Sequence, residues 1–519
     1  MELVKRNIHM DRMKSKASTQ ITLEDDINIS DSKPDAFSLI LDRGNIVIEE
    51  VKVTNDHAAL KGKLAFTVLY LTEGEDADIA CMEGSIPFEE QVNMEGVQNG
   101  DHVQVKCDLE DMSVGLINSR KLSVQAIMNL RLVCEVINDE EIAVDLRCDE
   151  PMEYRRKSME IAAMAIKKKD IFRVKEEMEL PGSYPNILSV IWESVAPGEV
   201  EFKILDDKIS VQGEVKVFLL YRAENEDNSI YHYETTVPFS GVIECQGCSE
   251  GMIPEITWAL GQKEIEIRPD FDGEDRVITL EMVLDLDICV YEEENLDILS
   301  DIYGVIKEVE VEEKEAVFRK LLTRSNGKSK LAEHLVIRED DPSIKKVLNS
   351  TGQMQISNQE IMENAIGIQG VLLMQILYET NDEKRPYGIA KGMFPFQYEL
   401  EADDITPDCL YKLQSDMEQL NVTALDSNEL DVKAVLCFRC NVYKQLKEKA
   451  VERVNISEPD MEKLNSLPGI AVYIVKDGES LWDIGKRYYV PISQIKETND
   501  MVTDEVKAGD KILIVKGMK

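Results

Sequence analysis

The chain has 519 residues, 43% of them hydrophobic, and carries 100 acidic against 59 basic residues, a formal net charge of −41. That hydrophobic content excludes disorder as the origin of the acidity, so the charge is a property of the surface of packed domains. A body this acidic repels nucleic acid and anionic lipid and suits a basic protein partner.

At the N-terminus, Met1–Thr19 holds Lys5, Arg6, Arg12, Lys14 and Lys16, but no apolar stretch follows. No signal peptide is therefore expected. No run approaches the ~18 apolar residues that a membrane span requires. Ten cysteines are scattered through the body. Without an export signal they are expected to be reduced thiols.

The body then uses one unit three times. The intervals that separate Pro34, Gly62, Tyr70 and Pro87-Phe88 recur without change between Pro185, Gly213, Tyr221 and Pro238-Phe239. They recur again between Pro342, Gly370, Tyr378 and Pro395-Phe396. Copies that start about 150 residues apart are domain-sized. Each proline suits the first turn of a short helix, followed by Phe37, Leu39 and Ile40 in the first copy, Ile187, Leu188, Val190 and Ile191 in the second, and Ile344, Val347 and Leu348 in the third. A strand comes next, and its alternation is cleanest from Ile209 to Tyr221. Polar turns at Thr72–Glu75, Glu224–Asp227 and Thr380–Glu383 lead back through a hairpin to Pro-Phe. Further alternating strands close the copies at Leu122–Val133, Ile278–Val290 and Leu430–Val442. Each copy is expected to be an antiparallel β domain with its own core. The expected units are 1–148, 149–300 and 301–447. Charge-rich connectors at Asp149–Lys169 and Asp297–Lys314 separate them, and a Ser- and Pro-containing tether spans 448–471. The glycines at 62, 213 and 370 sit mid-strand, where a bulge or a close backbone approach is the usual reason.

Few constellations point to chemistry. Cys245-Gln246-Gly247-Cys248 lies in a loop and is able to chelate, but tetrahedral zinc needs four ligands. Cys437 and Cys440 lie in a strand and point to opposite faces. Unligated thiols are the favoured reading of both pairs. The five histidines, His9, His57, His102, His232 and His334, have no partnered spacing of the kind a general base or metal site needs. No glycine-rich phosphate loop is present, so no ATPase activity is expected from this chain. The acidic turns lack the ordered alternation of a calcium loop. No metal, cofactor or catalytic set is expected.

The last segment, 472–519, has a different organisation. Tyr473 and Val475 share a strand face, Gly478 permits a turn, and Ser480 can cap the helix that begins at Leu481. Leu481, Ile484 and Tyr488 make one apolar helix face. Pro491 opens a second short helix carrying Ile495. Gly509 closes a turn before a last strand at Ile512–Val515. This strand–helix–helix–strand order resembles the LysM module from Tyr473 to Ile514. The resemblance implies N-acetylglucosamine-polymer binding in a groove between two loops. One loop maps to Gly478, Glu479, Ser480 and Leu481, and the other to Asn499, Asp500, Met501 and Val502. Two residues depart from the LysM pattern: Glu479 replaces a shorter Asp, and Gly485 replaces an Ala, which costs a helix interior ~0.5–1 kcal/mol. Trp482 reads either as core beside Leu481 or as a half-exposed binding anchor. Tyr489, next to the inward Tyr488, is expected to be exposed.

The triple unit resembles the SPOCS domain of spore-forming bacteria. Three such copies followed by one LysM module resemble the SipL family of clostridial spore morphogenesis proteins. The resemblance implies a mother-cell protein at the forespore surface whose LysM module, including Trp482, binds the coat basement-layer ATPase of the SpoIVA type. With other coat proteins it would promote encasement. The alternative is a peptidoglycan-binding protein of the cortex or cell wall. The expected fold is mainly β, with three antiparallel β-rich domains in tandem and a small βααβ module, and no enzyme activity.

Overall fold

The computed structural model describes residues 2–74, 78–338, 340–459, 462 and 466–516. Strand makes up 75% of it and helix 3%. The first copy is β1 (Glu2–Asn28), β2 (Ala36–Thr54), β3 (His57–Thr72), β4 (Ile79–Asn93), β5 (Val103–Asn118) and β6 (Lys121–Arg147). These form two three-stranded antiparallel sheets, ordered β1-β6-β5 and β2-β3-β4. The inward residues of the middle strands, such as Leu64, Phe66 and Val68 on β3 and Val124, Met128 and Leu130 on β6, are buried between the sheets. The second copy repeats the plan with β7 (Met152–Glu179), β8 (Ile187–Leu205), β9 (Lys208–Ala223), β10 (Ile230–Glu244), β11 (Ile253–Pro269) and β12 (Asp275–Gly304). The third uses β13 (Glu308–Val336), β14 (Ile344–Met362), β15 (Ala365–Thr380), β16 (Tyr387–Glu401), β17 (Leu410–Ala424) and β18 (Glu429–Ser457).

The repeated residues have specific uses. The Tyr70, Tyr221 and Tyr378 hydroxyls donate to the carbonyls of Pro34, Pro185 and Pro342 at 3.0, 3.2 and 3.2 Å. Gly62, Gly213 and Gly370 pair in register with Phe88, Phe239 and Phe396. A Cβ on these glycines would meet the phenylalanine ring at 2.8, 2.6 and 2.6 Å. The mid-strand glycine is therefore the floor on which the ring of the Pro-Phe pair lies.

Three expectations need correction. No helix follows the repeated prolines; β2, β8 and β14 do. Each of these strands opens with two successive register shifts, at Ala36/Ser38 and Leu39/Leu41, Ile187/Ser189 and Val190/Trp192, and Ile344/Lys346 and Val347/Asn349. An extra residue at each bulge turns the period-2 pattern into a spacing of three, which imitates a helical face. The charge-rich stretches read as connectors are strands. The described turns lie at 148–151 and 305–307, so a boundary at 300/301 falls inside β12. The tether is shorter than 448–471 because β18 continues to Ser457.

The long outer strands pass beyond their sandwiches as two-stranded ribbons. In the first copy, Glu2–Met13 pairs with Glu135–Arg147. The three ribbons pack on one another through Ile8, Ile142, Ile161, Ile298 and Phe318. Elsewhere, β2–β4 and their counterparts meet through Leu41, Leu69, Trp192, Phe218, Leu348 and Leu377. Each copy touches the other two, so the copies close into a pseudo-threefold ring.

A buried polar cluster lies where all three copies meet. Asp11, 4% exposed, accepts from Arg319 at 2.6 Å and from the Tyr291 hydroxyl at 2.9 Å. Lys412 reaches Glu255 at 3.0 Å and Glu135 at 3.6 Å, and the Tyr443 hydroxyl donates to Glu255 at 2.6 Å. Burial would push the Asp11 carboxyl up, but Lys412 and Arg319 outweigh it and hold it down at about 2. Aligned on the repeat prolines, Asp11, Ala162 and Arg319 occupy one repeat position, and Gln104, Glu255 and Lys412 occupy another. The same two positions have thus diverged to opposite charges in different copies.

Candidate functional site

The C-terminal module comprises β19 (Ile470–Ile474), α1 (Leu481–Tyr488), α2 (Ile492–Thr498) and β20 (Lys511–Val515), with β19 and β20 antiparallel. Its core is Val475, Leu481, Ile484, Val490, Ile495, Ile512 and Ile514. Gly478 takes φ +78°, the left-handed turn geometry that glycine permits. Ser480 caps α1 in a reciprocal box with Asp483, so two otherwise orphaned N–H groups are satisfied.

The expected groove residues fall into three groups. The first is consumed by the module's own hydrogen bonds. Glu479 accepts from the Tyr473 hydroxyl at 2.7 Å, the Lys476 N–H at 3.0 Å and Arg487 at 2.7 Å. Those bonds, Tyr473 first, hold its carboxyl at about 2. The extra methylene of Glu479 is what spans this distance. Asn499 donates to the carbonyls of Ile495 and Leu513 and accepts from the Leu513 N–H, which ties α2 to β20. Ser480 belongs to the cap. The second group is packed: Leu481 lies in the core, with Met501 half-buried against it, which joins the two loops. The third group is exposed: Gly478, Asp500 and Val502, the last 91% exposed.

Trp482 is neither core nor free. Its indole N–H donates to Asp301 at 2.7 Å, and its ring meets Tyr303 edge-on at 4.8 Å between centroids. The Arg155 guanidinium lies 5.4 Å from the ring centroid. Lys486 reaches the same Asp301 at 2.6 Å, and the Tyr303 hydroxyl donates to the Val490 carbonyl at 2.9 Å. The first helix is thus docked on the ribbon of the second copy. Tyr489, expected to be exposed, is 7% exposed. It adopts the left-handed C-cap conformation and hydrogen-bonds Glu308, so the dock buries it. Asp301, Tyr303 and Arg155 were not read as functional residues from the sequence. The one available signal was Gly485, where a Cβ would sit 2.6 Å from the Tyr303 hydroxyl.

The candidate metal ligands do not assemble. All ten cysteines are free thiols. Cys245 and Cys248 are buried, and the Cys248 thiol donates to the Leu205 carbonyl. Burial, then the Cys248 neighbour, pushes Cys245 up to about 11. Among the described residues the one close group of three candidate ligands is Glu199, Glu418 and Cys437. Lys328 at 2.7 Å from Glu418 and Arg439 at 3.5 Å from Glu199 already neutralise its carboxylates. Burial and Glu199 push the Cys437 thiol up to about 12.

Comparison with known families agrees with this division of the chain. The SipL, SPOCS domain family matches residues 35–117, 186–268 and 343–425, and the LysM domain family matches 473–515. The chain carries three SipL-type SPOCS domains and one LysM domain. Each SPOCS match runs from the proline-led bulged strand to β5, β11 or β17, so the long ribbon strands lie outside it. No curated protein and no solved structure matched the chain. SPOCS and LysM are non-catalytic domain families. The domain content is that of a sporulation-related protein with a peptidoglycan-binding-type module. No helix among the described residues is long and apolar enough to cross a membrane.

Proposed function

We propose that this chain is a non-enzymatic assembly protein of the spore surface. Its LysM module binds a protein, the coat basement-layer ATPase of the SpoIVA type, and the SPOCS ring holds the module and recruits other coat proteins during forespore encasement. The site of action is the mother-cell cytoplasm and the forespore surface. One observation carries the choice of protein over glycan. The polar side chains of the groove, Glu479, Ser480 and Asn499, are spent inside the module. What remains outward is Gly478, Asp500 and the apolar Val502, with Met501 half-buried beside it. Sugar recognition needs free, directed donors and acceptors, whereas an exposed apolar anchor suits a protein partner.

The LysM match itself favours the second reading, peptidoglycan binding. The test offers the full chain both ligands, purified peptidoglycan in a sedimentation assay and the ATPase in a pull-down. Capture of the ATPase, weakened roughly thirtyfold by Met501→Ala with Val502→Ala, is the expected result. Sedimentation with peptidoglycan and indifference to the ATPase would replace this reading with the glycan one.

A further inference from the structure

The cavity on the pseudo-threefold axis has no role in the reading above. It has a volume of about 910 Å³, within the ~300–1,000 Å³ range of small-molecule sites. All three SPOCS copies build it. Val133, Cys289 and Asn441, which pair in register with Lys16, Lys167 and Arg324, all line it. Aligned on the repeat prolines, Lys16, Lys167 and Arg324 occupy a single repeat position, so all three copies place a cation there.

The charges around the cavity do not cancel. Its carboxylates are already engaged. Lys412 holds Glu135 and Glu255, and Gln104 donates to Asp287. The cations Arg319 and Arg439 are matched by Asp11 and Asp416. Arg12, Lys16 and Arg324 also line the cavity, but none of them forms an ion pair or a side-chain hydrogen bond with the described residues. Three cations without an ion pair, each solvent-exposed, therefore border one cavity in a chain of net charge −41, and with Asp11 and Asp416 counted the six cations of the site exceed its five carboxylates by one. In so acidic a protein, unpaired cations gathered beside amide and hydroxyl groups favour an anion that supplies the missing charge.

We propose that the axial cavity binds a small polyanion, a molecule bearing two or more phosphate or carboxylate groups, with Arg12, Lys16 and Arg324 as its charged contacts. The guanidinium forks of Arg12 and Arg324 suit either group by paired hydrogen bonds. Occupancy ties copies one and three to each other across the axis.

Calorimetric titration of the full chain at low ionic strength tests this, with inorganic tripolyphosphate and citrate as separate probes. Binding of one equivalent per chain is expected, weakening as salt is raised. The probe that binds more tightly assigns the phosphate or the carboxylate class. Substitution of Arg12→Gln, Lys16→Gln and Arg324→Gln together is expected to weaken binding about tenfold or more. Lys16→Arg with Arg324→Lys is expected to retain it. Lys433→Gln with Lys449→Gln, outside the cavity, is expected to leave it unchanged. The three lining cations make no ion pair, so the triple variant should melt like the wild type, and each single substitution provides a milder check. Failure of both anions to bind overturns the proposal. So does binding that the triple variant retains in full.

Discussion

Gly485 and Glu479 are the two places where the LysM module departs from its expected pattern, and each is accounted for by a contact. Alanine at 485 would favour the helix by about 0.5–1 kcal/mol, but its Cβ would strike the Tyr303 hydroxyl at 2.6 Å, more closely than it meets the module's own Ile492 side chain at 2.9 Å and Val490 carbonyl at 3.0 Å. Gly485→Ala is therefore expected to leave the module folded and to release it from the ribbon. Hydrogen exchange at the end of β12 should rise, and Trp482 emission should shift to the red. Unchanged exchange at Asp301–Tyr303 would show that the dock tolerates the methyl. Glu479 yields a pH prediction. Its folded carboxyl, near 2, lies below the ordinary 4.5. Its contribution to stability is therefore complete above the ordinary value and is lost as the pH falls toward 2. Amide spectra of the β19–α1 loop, followed from pH 5 to 2, should show this loss, and Glu479→Gln should flatten it. Both departures were visible in the sequence. The partners of Glu479, Tyr473 and Arg487, lie close to it in the chain and were within reach of sequence reasoning. Tyr303, the partner that explains Gly485, belongs to a strand of the second copy and was not.

Among the elements, legibility followed periodicity. β9 alternates without interruption and was read directly, as were the hairpins and the closing strands. β2, β8 and β14 were misread as helix starts because paired bulges broke the alternation over the residues that a pattern reader relies on. The ribbon arms were missed for a different reason. Met152–Lys169 and Asp297–Gly304 are strands rich in charge on their outer faces, and only their inner residues, such as Ile161 and Ile298, pack on other copies. The spacing of the repeated glycine was legible, and the ring above it gives it a magnitude. Gly213→Ala places a Cβ 2.6 Å from Phe239 and 3.2 Å from the Glu199 carbonyl. Overpacking of this kind costs about 1–3 kcal/mol, measurable as a shift in the denaturant midpoint. Gly213→Ala combined with Phe239→Leu should recover part of that loss.

For the whole molecule, the repeat count and the module were legible, whereas the closure of the copies on one another was not. Closure depends on pairings such as Asp11 with Arg319, which join the first strand of one copy to the first strand of another and have no sequence periodicity to mark them. Asp11→Asn leaves Arg319 without its counter-charge in a buried site. The expected destabilisation is about 3 kcal/mol, read by urea unfolding. The charge of Asp11 also predicts acid sensitivity. Its folded value, near 2, lies below the ordinary 3.8, so this contribution is present above pH 4 and is lost as the pH falls toward 2. Limited proteolysis at the 148–151 turn should nick the chain without releasing a fragment, because the flanking ribbons pack against the other copies. Separation of the pieces under native conditions would show that the ring is not held by its interfaces.

A closed ring also constrains how such a gene can change. In an open array each repeat meets only its neighbours, and lengthening or shortening by whole repeats is tolerated. Here the third copy completes the contacts of the first. Loss of a copy would expose two apolar faces and orphan a buried charge, and a fourth would have no seat. The number of repeats is therefore set by geometry, and variation is confined to the side chains that each copy presents outward and toward the axis.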